Sequence, residues 1–340
     1  MPHTLQTGNQ DALLRRIYGA ALILLSLLYT LPAQAQWHRQ HWDMMGTRIS
    51  VELWHPDLEQ STQCSLQIES EMQRLDARLS SYRDSSELSY INKNAAVKTV
   101  TISEEMQHLI DRSIFFSEVS KGVFDITYAS IGYAYDYRNA KQPDNETVAA
   151  TLDSIDYRHI QREGDNIRFR NSGVRINLGG IAKGYAVDQA IEIIEKCGIS
   201  KAMISAGGDS RILGDRGGRP WIIGIQHPRN PDQVALRLPL SNTAVSTSGD
   251  YQRFFIDQGD RIHHIINPQT GRSAKGSWSA TVTGPDAMTT DALSTTIFIM
   301  GAENGIEFVE RLEGIDAILI DSNGKVHYSS GFQPPDIEGQ

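Results

Sequence analysis

Apolar and polar positions change period several times along this chain, and each period predicts an element. Arg48-Ile49-Ser50-Val51-Glu52-Leu53 alternates with period two, as a half-buried strand does. From Leu58 to Leu79 the residues Leu66, Ile68, Met72, Leu75 and Leu79 recur at helical spacing. Ser103 opens another helix through Phe116, with Gly122 as the glycine beyond its end. Ile167 to Leu178 reads as a hairpin turned at Asn171-Ser172-Gly173. Further strands fall at Ala202–Ser205, Trp221–Gln226, Phe254–Ile256 with Ile262–Ile266, and Ala280–Val282. Ala317–Ile320 and Val326–Tyr328 form a last pair across Ser322-Asn323-Gly324. Helices are expected between them at Ala182–Lys196, Met288–Met300 and Ala302–Leu312.

Strands and helices do not alternate as a strict βαβ repeat, so the expected class is α/β of the mixed α+β kind, with hairpins and packed helices. No long linker or low-complexity run interrupts residues 40 to 330. One compact domain over residues 36–332 is expected, with a loose tail at 333–340.

Composition narrows the function. The 340 residues are 40% hydrophobic, and 32 basic against 41 acidic residues give a net charge of −9. That balance argues against nucleic acid, which needs clustered Lys and Arg. It leaves room for a phosphate-bearing small molecule, neutralised locally by a divalent ion or a helix N-terminus. Near the start, Arg15 and Arg16 precede an apolar run from Ile17 to Leu31, then Pro32 and Ala33-Gln34-Ala35. This is the layout of a secretory signal cut after Ala35, so residues 1–35 read as a signal peptide of an exported, periplasmic protein. An uncleaved anchor is the alternative, although the run is shorter than the ~20 residues that span a bilayer. Cys64 and Cys197 are the two cysteines. Export would permit pairing, but both sit among apolar neighbours, and they are read as two buried free thiols without a catalytic role.

Three segments could carry chemistry. Ile176-Asn177-Leu178-Gly179-Gly180-Ile181-Ala182-Lys183 runs from strand-like residues through two glycines into a helix. The fresh helix offers unpaired N–H groups to an anion, and Lys183 adds a cation in the first turn. Asp291 and Thr295 stand four apart on a helix, on one face. A carboxylate with a hydroxyl suits hard Mg2+. The rival reading makes Asp291 a helix cap and bonds Thr295 back to its own backbone. His264, before Ile265-Ile266-Asn267-Pro268-Gln269-Thr270-Gly271, is the histidine best placed to act as a base. Ser205-Ala206-Gly207-Gly208-Asp209 supplies another glycine turn, and Ser246 to Tyr251 a hydroxyl-rich loop. There is no G-x-S-x-G elbow, Walker loop, H-E-x-x-H or CxxC.

In order, Met45-Gly46-Thr47, Ser80-Ser81-Tyr82 with Ser86-Glu87-Leu88 and Ile91-Asn92, Gly122-Val123-Phe124-Asp125-Ile126-Thr127 and Gly179 to Ala186 are joined by Gly207-Gly208-Asp209, Thr247 to Tyr251, His264 to Gly271 and Asp291 to Thr295. This succession resembles the ApbE family of FAD:protein FMN transferases over about residues 43 to 331. The resemblance implies a flavin site between two lobes, with FAD as donor substrate and Mg2+ as cofactor. It implies FAD contacts at Met45, Tyr82, Val123, Phe124, Asp125, Asn177, Lys183 and Ile266, and metal ligation by Gly180 (through its carbonyl), Asp291 and Thr295. His264 and Asp291 are the candidate catalytic residues. Asn177 and Asn267 stand where the family usually has Asp, which keeps an acceptor oxygen and loses a charge. The family's acceptor run, D-x-x-[ST]-G-A-[ST], is absent here, which implies a separate acceptor protein, a membrane redox subunit in the same compartment. An FAD pyrophosphatase and a non-catalytic flavin carrier are the alternatives.

Overall fold

The computed structural model describes residues 36–332. The expected signal segment and the expected loose tail lie outside the described residues.

The chain opens with a hairpin, β1 (Gln36–Met44) and β2 (Thr47–His55), turned at Met45-Gly46. Both turn residues have positive φ, 55° and 71°, and glycine meets that demand without a Cβ penalty. Helix α1 (Leu58–Leu79) starts at Asp57, whose carboxylate accepts from the Glu59 and Gln60 amides. Its buried face holds Cys64, Ile68, Met72, Leu75 and Leu79, while Leu66, expected with them, is 51% exposed on the opposite side. α2 (Glu87–Asn94) and the short β3 (Val100–Thr101) follow. α3 (Glu104–Val119) is capped by Ser103 as expected and runs one turn past Phe116. α4 (Ala129–Gly132), α5 (Asn145–Leu152), β4 (Ile160–Glu163) and β5 (Asn166–Phe169) lead to α6 (Ala182–Lys196).

The second half is mostly strand. β6 (Ala202–Ala206), β7 (Asp209–Leu213), β8 (Trp221–His227), β9 (Asn230–Leu240) and β10 (Ala244–Gly249) precede two small hairpins. These are β11 (Phe254–Asp257) with β12 (Asp260–His263), and β13 (Ile266–Asn267) with β14 (Arg272–Ser273). β15 (Ser277–Gly284), α7 (Ala287–Met300), α8 (Ala302–Val309), β16 (Asp316–Asp321) and β17 (Val326–Tyr328) complete the described chain. Eight strands make one sheet in the order β1-β2-β6-β7-β10-β15-β16-β17, antiparallel at every pairing. The mixed α/β class expected from the pattern is the class observed.

Two expectations are corrected here. Residues 167–178 do not form a hairpin: β5 pairs with β4 across Gly164-Asp165. Beyond Phe169 the chain does turn at Asn171-Ser172-Gly173, but no strand returns: residues 174–178 pair with no strand and bury Val174, Ile176 and Leu178, which gives them a strand's alternation. Its backbone is satisfied instead by the Asn92 amide, which donates to the Ile176 carbonyl and accepts from the Ile176 N–H, each at 2.8 Å. Second, Ser246 to Gly249 is not loop but the end of β10, its hydroxyls paired with those of neighbouring elements.

One cluster of buried apolar residues extends from Ile49 to Leu319. At its centre lies α7, which is small or apolar on every side and buries all but Thr289, Thr295 and its last two residues. It packs against α6, β10 and β15. Gly184 permits this, since a Cβ there would stand 2.1 Å from the Ala287 carbonyl oxygen. The cysteines expected to be free form a disulfide, Cys64–Cys197, with Cα atoms 6.1 Å apart. α1 lies along α6, so residues 133 apart in sequence face each other. Nothing in the local apolar pattern could reveal that adjacency.

Candidate functional site

A cavity of about 580 Å³ lies between the large sheet with its helices and the segment from Ser80 to Gly180. The residues named as cofactor, metal or catalytic candidates all line it: Met45, Tyr82, Val123, Phe124, Asp125, Asn177, Gly180, Lys183, His264, Ile266, Asp291 and Thr295.

The inner end is polar. Lys183, in the first turn of α6, bonds Asp209 and stands 3.4 Å from both carboxylate oxygens of Asp291. Both acids are 2% exposed. Burial would lower the Lys183 pKa, but the two carboxylates reverse this and hold it well above the usual lysine range. Burial and the neighbouring Asp209 raise Asp291, while Lys183 and the Gly184 N–H oppose that shift. The Gly184 amide donates to Asp291 at 3.1 Å, so a carboxylate from α7 sits at the N-terminus of α6, where the helix dipole favours it. The residue at the N-cap of α6, Ile181, has no side chain able to accept such a bond. The reading of Asp291 as a cap of its own helix is overturned, because Asp286 caps α7 by accepting from the Thr289 amide. Thr295 lies one turn further on, with Ser248 Oγ 3.3 Å from its hydroxyl and 2.9 Å from that of Ser294.

The glycine pair serves close approach. A Cβ on Gly179 would meet Asn177 Oδ1 at 2.9 Å, and one on Gly180 would stand 3.2 Å from Phe124 and 3.4 Å from the Thr295 hydroxyl. Gly180 is therefore packed closely between Phe124 and Thr295. Asn177 accepts from the Gly179 amide at 2.7 Å and donates to Ser81 at 3.0 Å. Its amide thus fixes the turn and ties it to the Ser80–Tyr82 segment. Asn267 likewise accepts from the Gln269 amide at 2.8 Å and caps its own turn. At both positions the acceptor oxygen is in use, and at Asn177 the amide nitrogen also donates, which an Asp carboxylate could not do.

The outer end is aromatic. Tyr82 is 82% exposed at the rim, and Arg253 donates to its hydroxyl at 3.2 Å. Tyr128, Tyr133 and Tyr137 line the wall. Asp125 is part of that wall, but its carboxylate is occupied by the Thr127 N–H and hydroxyl and the Tyr157 N–H. Burial raises its pKa, and these bonds partly offset the rise. Asp125 therefore shapes the wall rather than serving as a free acid. His264 follows β12, with its backbone amide held by the Arg253 carbonyl at 3.1 Å. Its Nδ1 is buried without a hydrogen-bond partner. Burial, then His263, Arg253 and Lys183, push its pKa down to about 3, so the ring is neutral at ordinary pH.

Asp209, Arg253 and the three wall tyrosines were not assigned roles from the sequence. The run Thr127-Tyr128 to Tyr133-Ala134-Tyr135-Asp136-Tyr137 carries an aromatic density that could have marked the wall. Asp209 was marked only as part of the Gly207-Gly208-Asp209 block, and its meeting with Lys183 across the fold left no sign in the sequence.

A two-ended cavity of this kind, with a cation and carboxylates inside and aromatic rings outside, marks an enzyme built to handle an extended nucleotide. The chain belongs to the ApbE family, whose model matches residues 45–319. A relative from Haemophilus influenzae named FAD:protein FMN transferase is 31% identical over 279 residues, 78% of this chain and 80% of that protein. Another of that name from Vibrio cholerae is 28% identical over 301 residues, 85% and 90% of the two chains. Among solved structures, the ApbE protein of Thermotoga maritima superposes with a TM-score of 0.81 at 32% identity, covering 87% of this chain and 98% of that one. The flavin transferase ApbE of Vibrio cholerae superposes with a TM-score of 0.79 at 26% identity, covering 88% and 98%.

Proposed function

We propose that this chain transfers the FMN part of FAD onto a Ser or Thr hydroxyl of a separate protein, with AMP as the other product. The observation that carries the reading is the single cavity that joins the Gly179-Gly180 helix start and Lys183 to a tyrosine-lined rim. A dinucleotide of FAD's shape fits those ends, with its pyrophosphate at the polar end and its ring system among the tyrosines. The acceptor oxygen forms a bond to the FMN-side phosphorus, and the bond from that phosphorus to the bridging oxygen breaks. The electron pair leaves with AMP, and the hydroxyl proton passes to a base. His264, which lines the cavity, is the candidate base. Lys183 supplies fixed positive charge where the phosphates lie. Water in place of the acceptor would give FMN and AMP.

The donor set fits Mg2+. Two buried carboxyl groups face one ammonium, and burial beside Asp209 raises the Asp291 pKa, an arrangement that a divalent cation would relieve. Among the described residues no group of three or more His, Cys, Asp or Glu is placed to hold a metal. Asp291, the Thr295 hydroxyl and the Gly180 carbonyl would instead hold an ion that keeps its other positions for phosphate and water, which is how Mg2+ commonly binds. Such an ion would neutralise phosphate charge there.

The reading includes export. The Arg15-Arg16, Ile17–Leu31, Ala33-Gln34-Ala35 pattern supports it, and so does the Cys64–Cys197 disulfide, which is favoured in an oxidising compartment. The acceptor would be a membrane redox subunit facing that compartment. Incubating the protein with FAD, Mg2+ and a peptide carrying D-x-x-[ST]-G-A-[ST] tests the activity. Covalent FMN on the peptide hydroxyl is expected, and free FMN without adduct would support hydrolysis instead.

A further inference from the structure

Beside the rim, the β11–β12 hairpin pairs with no other strand among the described residues. Asp257 is opposite Asp260 and Phe255 opposite Ile262, while the Arg253 carbonyl accepts from the His264 amide. Backbone groups along an antiparallel strand point alternately toward and away from the partner. Those of Arg253, Phe255 and Asp257 therefore face β12, and those of Phe254 and Ile256 face outward. No hydrogen bond outside the hairpin engages those outward groups among the described residues. The side chains of Phe254 and Ile256 are 38% and 57% exposed, whereas Phe255 is buried near Tyr137.

Folded proteins commonly guard such an edge with Lys, Pro or a bulge. Here the sequence is Phe-Phe-Ile in regular register. The edge also leads directly to the reaction site. Arg253, the residue before it, lines the cavity, donates to Tyr82 and holds the His264 backbone in the wall. Arg261 lies over the Phe254 ring at 3.8 Å and Arg253 precedes it, so both cations stand at the Phe254 end of the exposed apolar pair, while Asp257 and Asp260 stand at the Ile256 end.

We propose that the outer edge of β11 is the docking site for the acceptor protein, an inference that rests on the transferase reading. An extended segment of the acceptor adds as a strand along Phe254–Asp257. Main-chain hydrogen bonds hold it, Phe254 and Ile256 take its apolar side chains, and Arg253 and Arg261 favour acidic residues where it passes Phe254, the end nearer the rim. Its path then brings the following hydroxyl residue to the rim between Tyr82 and His264. A polypeptide bound through its backbone in this way accounts for a site that accepts a loop of protein rather than a small alcohol.

The test is amide hydrogen exchange on the full mature chain with FAD and Mg2+, with and without a D-x-x-[ST]-G-A-[ST] peptide whose hydroxyl residue is replaced by Ala. The peptide should slow exchange at Phe254 and Ile256 at least about tenfold and leave β1 and β17 unchanged. Ile256→Pro removes an outward N–H at a position where an edge strand tolerates proline. The KM for the reactive peptide should rise roughly tenfold, with kcat and FAD affinity unchanged. Transfer without slowing at these amides, or a wild-type KM in Ile256→Pro, overturns the proposal. So does slowing that needs no peptide and grows with enzyme concentration, which would assign the edge to a second copy of the chain. If Ile256→Pro fails to fold, exchange in the wild-type protein still decides. Because docking is read on an unreactive peptide, absence of FMN transfer to the Ser peptide would sink the transferase reading separately.

Discussion

The Lys183 ammonium stands 3.4 Å from each carboxylate oxygen of Asp291 while it also bonds Asp209, so one cation bridges two buried acids from β7 and α7. Lys183→Met would leave those acids facing each other without a counter-charge. Breaking a buried ionic arrangement by removing one partner costs about 3 kcal/mol or more. A melting temperature several degrees below wild type is expected, with part of the loss recovered by added Mg2+ but not by added Na+. Wild-type stability in Lys183→Met would show that the acids are not charged together.

Much of this site was legible in the sequence. Gly179-Gly180 before Lys183 signals close backbone approach whatever the fold, and Asp291 with Thr295 share a face of any helix. Partnership across the fold was not legible. Lys183 meets Asp209 because β6 and β7 turn back beside α6, and Cys64 meets Cys197 because α1 lies along it. The extended run to Leu178 misled for a related reason, since the alternation reports burial while Asn92, more than 80 residues earlier, replaces the missing strand. In Leu66 the helical spacing was right and the face was wrong.

Gly184 sets the spacing of the two helices that carry Lys183 and Asp291. A Cβ at this position would lie within 2.1–2.7 Å of Ala287 and Met288 backbone atoms, which no side-chain rotation can relieve. Gly184→Ala should therefore cost at least about 1–3 kcal/mol, despite alanine's better helix propensity. Chemical denaturation would measure it. A stabilised variant would mean that α6 and α7 are further apart than described.

The disulfide closes a loop between residues 133 apart. Restricting the unfolded chain over such a length contributes about 2–5 kcal/mol. Replacing both Cys64 and Cys197 by Ser should lower stability by that amount and leave FMN transfer at 25 °C intact, since neither residue lines the cavity. A reductant should lower wild-type stability and have no effect on the double variant.

His264 makes stability depend on pH. Its folded value of about 3 lies below its ordinary 6.5, so between these the unfolded chain holds a proton that the folded chain does not. The stabilising contribution is complete above pH 6.5 and is lost as pH falls toward 3. His264→Gln should therefore lose less stability than wild type between pH 6.5 and 4. Equal slopes in thermal melts would show that the ring is charged or exposed in the folded protein.

The metal reading is tested most sharply by separating charge from shape at Asp291. Asp291→Asn keeps an acceptor for the Gly184 amide and leaves Lys183 bound to Asp209, so the fold should survive with little change in melting temperature. It removes the charged ligand of the proposed set, and a hard cation depends on charge more than on a neutral hydroxyl. FMN transfer should fall on the order of 100-fold, while FAD affinity falls far less, because the ion acts mainly on charge that develops during transfer. Thr295→Val removes a neutral oxygen at nearly constant volume and should cost roughly tenfold, with more of the loss restored by excess Mg2+. The order of the two variants carries the decision. If Thr295→Val is the more damaged, the hydroxyl network with Ser248 and Ser294 matters more than metal charge. If Asp291→Asn transfers FMN at the wild-type rate, the carboxylate serves α6 alone and the Mg2+ site is not there.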